Sequence, residues 1–133
     1  MSLSIKLLGK KGEDAAAKYL EGLGYRIHKR NFRVSTKEID IICYDGEYIV
    51  FVEVKTVKEN SDGEFVRRPS SYVDGNKKNN LIVASLWYMK KYSPPLIPRI
   101  DVVEVYIGKE FTQIEHIRSA VNRNDLKQHR RKL

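Results

Sequence analysis

The nine residues Tyr48-Ile49-Val50-Phe51-Val52-Glu53-Val54-Lys55-Thr56 constrain this chain more than any other stretch, because a carboxylate and an ammonium interrupt what otherwise reads as a buried β-strand. Glu and Lys are almost never fully buried without a partner or ligand, since an unpaired charge in a core costs several kcal/mol or shifts its pKa until it neutralises. Side chains alternate across a strand, so Phe51, Glu53 and Lys55 share one face while Val50, Val52 and Val54 share the other. Both charges therefore project from the same side, the arrangement expected of a site.

At 133 residues and 41% hydrophobic content, the chain has the size of one core-bearing domain. Its single cysteine, Cys43, excludes an intramolecular disulfide and sits at a strand position alternating with Ile39 and Ile41, as a small buried hydrophobe would. No apolar run approaches the roughly 18 residues of a membrane span, and the amino terminus lacks the pattern of a signal peptide. A cytoplasmic protein is the expectation. A formal net charge of +8 favours a polyanionic partner, of which nucleic acid is the commonest. Much of that charge is terminal: residues 118–133 carry Arg118, Arg123, Lys127, Arg130, Arg131 and Lys132 against Asp125, a net +5. The expected organisation is a domain over 1–117 followed by a basic tail over 118–133, a solvated end or an arm for nucleic acid.

Helical spacing of Ile5, Leu8, Gly12, Ala16, Tyr19, Leu20 and Leu23, stopped by Gly24, predicts a first helix. Gly9 and Gly12 on or near its packing side predict close approach of another backbone or a ligand, and Glu13 borders the buried stripe. Strands are predicted over Tyr25–Phe32 and Lys37–Tyr44, and Asp45-Gly46 predicts a two-residue hairpin into an antiparallel strand over Tyr48–Val57. With Tyr44 opposite Glu47, Glu38 would face Glu53, Asp40 would lie diagonal to Glu53, and Glu38, Asp40, Glu53 and Lys55 would project together. A long polar connection with Arg67 and Arg68 follows, then a second helix over about Asp74–Tyr92 that Lys77 and Lys78 open, a proline stop, and strands over Arg99–Ile107 and Phe111–Ile117. The order is α-β-β-β-α-β-β.

Converging carboxylates with a lysine are what phosphodiester hydrolysis requires. Attack on an anionic phosphate is opposed by charge until a divalent cation neutralises it and lowers the pKa of bound water. Asp40 and Glu53 are placed to hold that cation, and an oxygen-only donor set points to Mg²⁺, with Mn²⁺ as a substitute, and away from zinc. His28, His116 and His129 show no ligand spacing. Lys55 would orient or deprotonate the attacking water, or stabilise charge on phosphorus. The structural alternative is a salt-bridge network of Glu53 and Lys55 with each other or with Arg99 and Asp101.

The series Gly12-Glu13-Asp14-Ala15-Ala16, Gly24-Tyr25, Arg30-Asn31-Phe32-Arg33, Glu38-Ile39-Asp40, Phe51-Val52-Glu53-Val54-Lys55-Thr56, Lys77 and Arg99-Ile100-Asp101-Val102-Val103 resembles the YraN-like bacterial proteins. These look like PD-(D/E)xK nucleases of the restriction-endonuclease-like superfamily, similar to Holliday junction resolvases. The resemblance implies an α/β three-layer fold, a mixed central sheet flanked by helices. It also implies a Mg²⁺-dependent endonuclease with catalytic residues Asp40, Glu53 and Lys55, and metal-holding positions Glu13, Asp40, Glu53 and Val54. Lys77 matches a basic residue of the second helix, and Arg67, Arg68, Lys77 and Lys78 make up the candidate nucleic-acid contacts. Lys37 stands where the family usually has Gly, and Val57 where it usually has Arg, which removes a phosphate contact and leaves the acids untouched. The expected substrate is DNA, branched or single-stranded, gripped by its backbone with weak sequence specificity. A homodimer would suit symmetric cutting of a junction. The rival expectation is a non-catalytic nucleic-acid-binding protein on the same fold.

Overall fold

The structure, a computed structural model, describes residues 3–65 and 75–121. Gly46, with φ 56°, reverses the chain between β2 (Lys37–Asp45) and β3 (Tyr48–Lys58), which pair antiparallel from Asp45↔Tyr48 to Ile41↔Val52. Gly46 and Glu47 are thus the two turn residues, and the register is shifted by two from the one predicted with Asp45 and Gly46 in the turn. The shift is even, so no residue of β3 changes face. Its consequence is local: the last paired residues are Ile41 and Val52, and Asp40 and Glu53 come next on either side, where pairing stops.

Helix α1 (Leu3–Gly22) precedes β1 (Arg26–Val34), which pairs with β2. Helix α2 (Gly75–Tyr92) crosses over from β3 to β4 (Ile97–Ile107), which pair in parallel, and β5 (Thr112–Ile117) pairs antiparallel with β4 at the sheet edge. The five strands lie in the order β1-β2-β3-β4-β5, a mixed sheet with one helix on each face. This α/β architecture in the order α-β-β-β-α-β-β is the one expected and is compatible with a restriction-endonuclease-like fold.

Two apolar layers hold it. Ala16, Ala17 and Leu20 of α1 pack on Ile41, Cys43, Val50, Val52, Val103 and Val105, while Leu81, Ile82, Leu86 and Tyr88 of α2 pack on Ile42, Ile49, Phe51 and Ile100. Burial pushes the Cys43 thiol up to about 12, so it behaves as the predicted buried hydrophobe. Gly12 meets β3: a Cβ there would overlap the Thr56 hydroxyl, and this close approach brings the next residue, Glu13, against the sheet. At Gly9, expected to make a similar contact, an added Cβ would meet nothing within 4 Å among the described residues.

One strand breaks its alternation. Ile39 packs on the α2 side with Ile42 and Phe51, whereas Ile41 and Cys43 pack on the α1 side, so β2 changes face at Asp40. The register of β1 with β2 places Asn31 opposite that point, between the pairs Arg30↔Ile41 and Phe32↔Ile39, and Asn31 has φ 51°, a region that Asn tolerates better than most residues. This corrects the expectation that Ile39, Ile41 and Cys43 share one face. It also corrects the single polar face assigned to Glu38, Asp40, Glu53 and Lys55: the switch at Asp40 puts the acids of β2 at the boundary between the layers.

Candidate active site

The acids gather where β2 and β3 cease to pair. Asp40 Oδ2 accepts a 2.8 Å hydrogen bond from the Val54 backbone N–H, so a side chain takes the place of the ladder bond that pairing would have supplied. This is how Val54 joins the site. Carboxylate oxygens of Glu13, Glu38 and Asp40 lie within 4.8 Å of one another, one acid from α1 and two from β2. Beside them is a cavity of about 220 Å³ lined by Thr36, Lys37, Glu38, Asp40 and Glu53 from the strands and Asn80 and Leu81 from α2. Asp40 and Glu53 therefore open onto one space, and Glu13 reaches Asp40 from the other layer.

Glu38, expected on the polar face but given no role there, and Asn31, known only as part of a motif, complete this arrangement. With its nitrogen turned toward the acids, the Asn31 amide donates to Glu13 Oε1 and Glu38 Oε1, each at 2.9 Å. That orientation follows from the neighbours, since carboxylates offer only acceptors. The residue type was the one available signal, since Asn tolerates positive φ better than most residues. Its long-range partners were not legible.

Crowding acts on protonation. Burial, and then the charge of Asp40, push Glu13 up to about 7; Arg30 pulls it down and Glu38 adds to the rise. A carboxyl whose folded pKa exceeds its ordinary 4.5 favours the fold while protonated, so this contribution is lost as pH rises from about 4.5 through about 7. The metal-free protein should melt at a lower temperature at pH 8 than at pH 6, and Glu13→Gln should flatten that slope. Scanning fluorimetry checks this, and an unchanged slope in the variant would contradict it.

Lys55 shares the α2-side face of β3 with Phe51 and Glu53, and its register partner on β4 is Glu104. Glu104 is buried; its Oε1 accepts from the Tyr106 hydroxyl at 3.1 Å, and its Oε2 has no hydrogen-bond partner among the described residues. Lys77 and Lys78 lie in the first turn of α2, while Arg67 and Arg68 lie outside the described residues, as does the tail from 122 onward.

Arg99 and Asp101 form a different cluster, on the α1 side. Arg99 binds both Asp101 oxygens at 3.0 Å, Asp45 Oδ2 at 2.8 Å and the Tyr25 hydroxyl at 2.9 Å. His116 Nε2 lies 2.7 Å from Asp101 Oδ2, and its Nδ1 3.2 Å from the Tyr19 hydroxyl. The salt-bridge alternative imagined for Arg99 and Asp101 is thus realised with Asp45, Tyr25 and His116, on the face away from Glu53 and Lys55.

A profile of Uncharacterised protein family UPF0102 matches residues 12–105, a span that runs from Gly12 through Asp40, Glu53 and Lys55 into β4. The chain belongs to this family. A UPF0102 protein of Geobacter metallireducens is 41% identical over 121 residues, covering 90% of this chain and 96% of the relative. UPF0102 proteins of Dehalococcoides mccartyi and Desulforamulus reducens are 37% and 36% identical, covering 91% of this chain in each case and 98% and 100% of theirs. These are the YraN-like proteins that the motifs resemble. A solved structure entitled "Crystal structure of SSO0001" aligns with a TM-score of 0.40 at 14% identity, over 98% of this chain and 59% of that one. Among the described residues of this UPF0102 protein, no helix is long and apolar enough to cross a membrane.

Proposed function

We propose that this UPF0102 protein is a metal-dependent endonuclease that hydrolyses DNA phosphodiester bonds, with branched DNA as the preferred substrate. The observation that carries the reading is the meeting of Glu13, Glu38 and Asp40 within 4.8 Å, beside a cavity that Asp40 and Glu53 line together. Their donor set is all oxygen, which suits Mg²⁺ or Mn²⁺. Oxygens around one Mg²⁺ at about 2.0–2.1 Å lie about 2.9 Å apart when adjacent and about 4.2 Å apart when opposite, so the cluster would draw together around a bound ion.

Asp40 and Glu53 would hold the cation, with Glu13 and the backbone at Val54 completing its surroundings. The cation supplies charge neutralisation at the phosphate and makes water more acidic. The chain's own residues do the rest. Asn31 holds one oxygen each of Glu13 and Glu38, and their second oxygens would be left for a cation. Val54 N–H fixes the rotation of Asp40. Lys55, on the same strand face as Glu53, would orient water or stabilise charge at phosphorus. Lys77, Lys78, Arg67 and Arg68 would add phosphate contacts, and their number predicts affinity that falls with salt.

The test is incubation of purified protein with supercoiled plasmid, single strands and a four-way junction, in Mg²⁺ or in EDTA. Cleavage in Mg²⁺ alone, strongest on the junction, is the expected result; intact substrates under every condition would contradict the reading.

A further inference from the structure

Trp87, the only tryptophan of the chain, stands 41% exposed on the outer side of α2. It belongs to a ring cluster: Phe32 of β1 lies 6.4 Å from Trp87 and 6.5 Å from Tyr92, Trp87 and Tyr92 are 6.3 Å apart, and Tyr92 is itself 52% exposed. Lys29 Nζ lies 5.9 Å from the Phe32 ring, and Lys90 and Lys91 are exposed on the last turn of α2. Neither element that builds the patch contains an acidic residue: β1 reads RIHKRNFRV and α2 reads GNKKNNLIVASLWYMKKY. Helical spacing connects this patch to the cavity. Asn80, which lines the cavity, is seven residues before Trp87, two turns earlier on nearly the same face and about 10 Å away along the axis at about 1.5 Å per residue.

We infer that this face is a stacking platform for unpaired bases of a nucleic-acid strand whose backbone runs into the Asp40–Glu53 cavity, an inference that rests on the nuclease reading above. Exposed rings offer each base a flat apolar surface, and the flanking lysines meet the phosphates between bases; together they are the two components of sequence-tolerant single-strand binding. Charge argues against a second copy of the chain as the occupant. A two-fold contact through this face would bring Lys29, Lys90 and Lys91 toward their own copies with no acid on either element to offset them. The substrate class narrows accordingly, from DNA in general to DNA with unpaired bases beside the cut: a fork, a flap or the open centre of a junction.

Because Trp87 is the sole tryptophan, its emission reports the contact directly. Short oligothymidylate titrated into the wild-type protein in EDTA should quench that emission at saturation, and a blunt duplex of equal length should bind without comparable quenching. Trp87→Ala should weaken binding of a labelled oligothymidylate about tenfold, the loss expected from one stacked base, and leave duplex affinity within about twofold. Trp87→Phe, which keeps a ring and guards against a folding defect, should retain most of the affinity. An unquenched tryptophan at saturation, or an alanine variant that binds single strands as well as wild type, overturns the inference and leaves the nuclease reading standing. Emission that changes with protein concentration alone, together with a dimer in sedimentation, assigns the face to a second copy and overturns it too. A wild-type protein that binds no nucleic acid removes the nuclease reading and this inference with it.

Discussion

Asp40→Asn and Glu53→Gln should each abolish Mg²⁺-dependent cleavage while DNA binding in EDTA is kept or strengthened. Both substitutions preserve shape and remove one negative charge, so they address the cation directly. Asn at position 40 can still accept the Val54 N–H bond that Asp40 Oδ2 makes at 2.8 Å, and the fold should survive. The expected loss exceeds the about 10²–10³-fold that follows removal of one preorganised electrostatic group from an active site. Tighter binding is expected because each variant takes a negative charge away from a phosphate-facing cavity. A single-turnover cleavage assay with a parallel gel-shift in EDTA separates the two effects. Equal cleavage by either variant would remove its residue from the catalytic set; a wild type that binds DNA without cutting it, with binding little changed in both variants, would favour the non-catalytic nucleic-acid binder.

Arg99→Met should produce the largest loss of stability, about 3–5 kcal/mol, the range for breaking a buried pair by removing one partner. Asp101 is fully buried and Arg99 is only 10% exposed at its side chain. Without the guanidinium, Asp101 keeps His116 Nε2 at 2.7 Å and the Ser119 N–H at 3.1 Å but loses two charge-assisted bonds, and Asp45 and the Tyr25 hydroxyl lose their shared partner. Burial raises the Asp101 pKa, yet the hydrogen bonds from His116, Arg99 and Ser119 outweigh it and hold the carboxyl below its ordinary 3.8. Its contribution is therefore present above that value and is lost as pH falls through the lower folded value. Urea unfolding at neutral pH should show the deficit, and the variant's stability should fall less steeply than the wild type's when the pH is taken below about 4. A midpoint within experimental error of wild type would show that the pair adds nothing net.

Element types were legible because each carried its own periodicity: the 3.6-residue stripe of α1 around Ala16 and Leu20, the apolar run of β3, and the prolines beyond Tyr92. The hairpin register was not, since Asp45-Gly46 and Gly46-Glu47 both offer a turn, and glycine alone does not say which of the two central places it takes. Asp40 and Glu53 could be read as partners because an even shift of register leaves the face of every β3 residue unchanged. The face switch in β2 could not, because it depends on Asn31 adopting a positive φ across the sheet and on Asp40 capturing the Val54 N–H. Those are long-range choices that local pattern does not encode. Glu38 shows the same limit: pattern placed it near the site, but only the Asn31 amide, reaching from β1 to α1 and β2 at once, joins it to Glu13. Trp87 was hidden by a similar ambiguity, since an aromatic residue inside an apolar helix reads as core until its neighbours are known.

Crystals soaked in Mn²⁺ and measured at its absorption edge test the central claim most directly. Anomalous density in contact with Asp40 and Glu53, near Glu13, is the predicted result. A cavity without such density at saturating Mn²⁺, or density only at acids elsewhere on the surface, would contradict it.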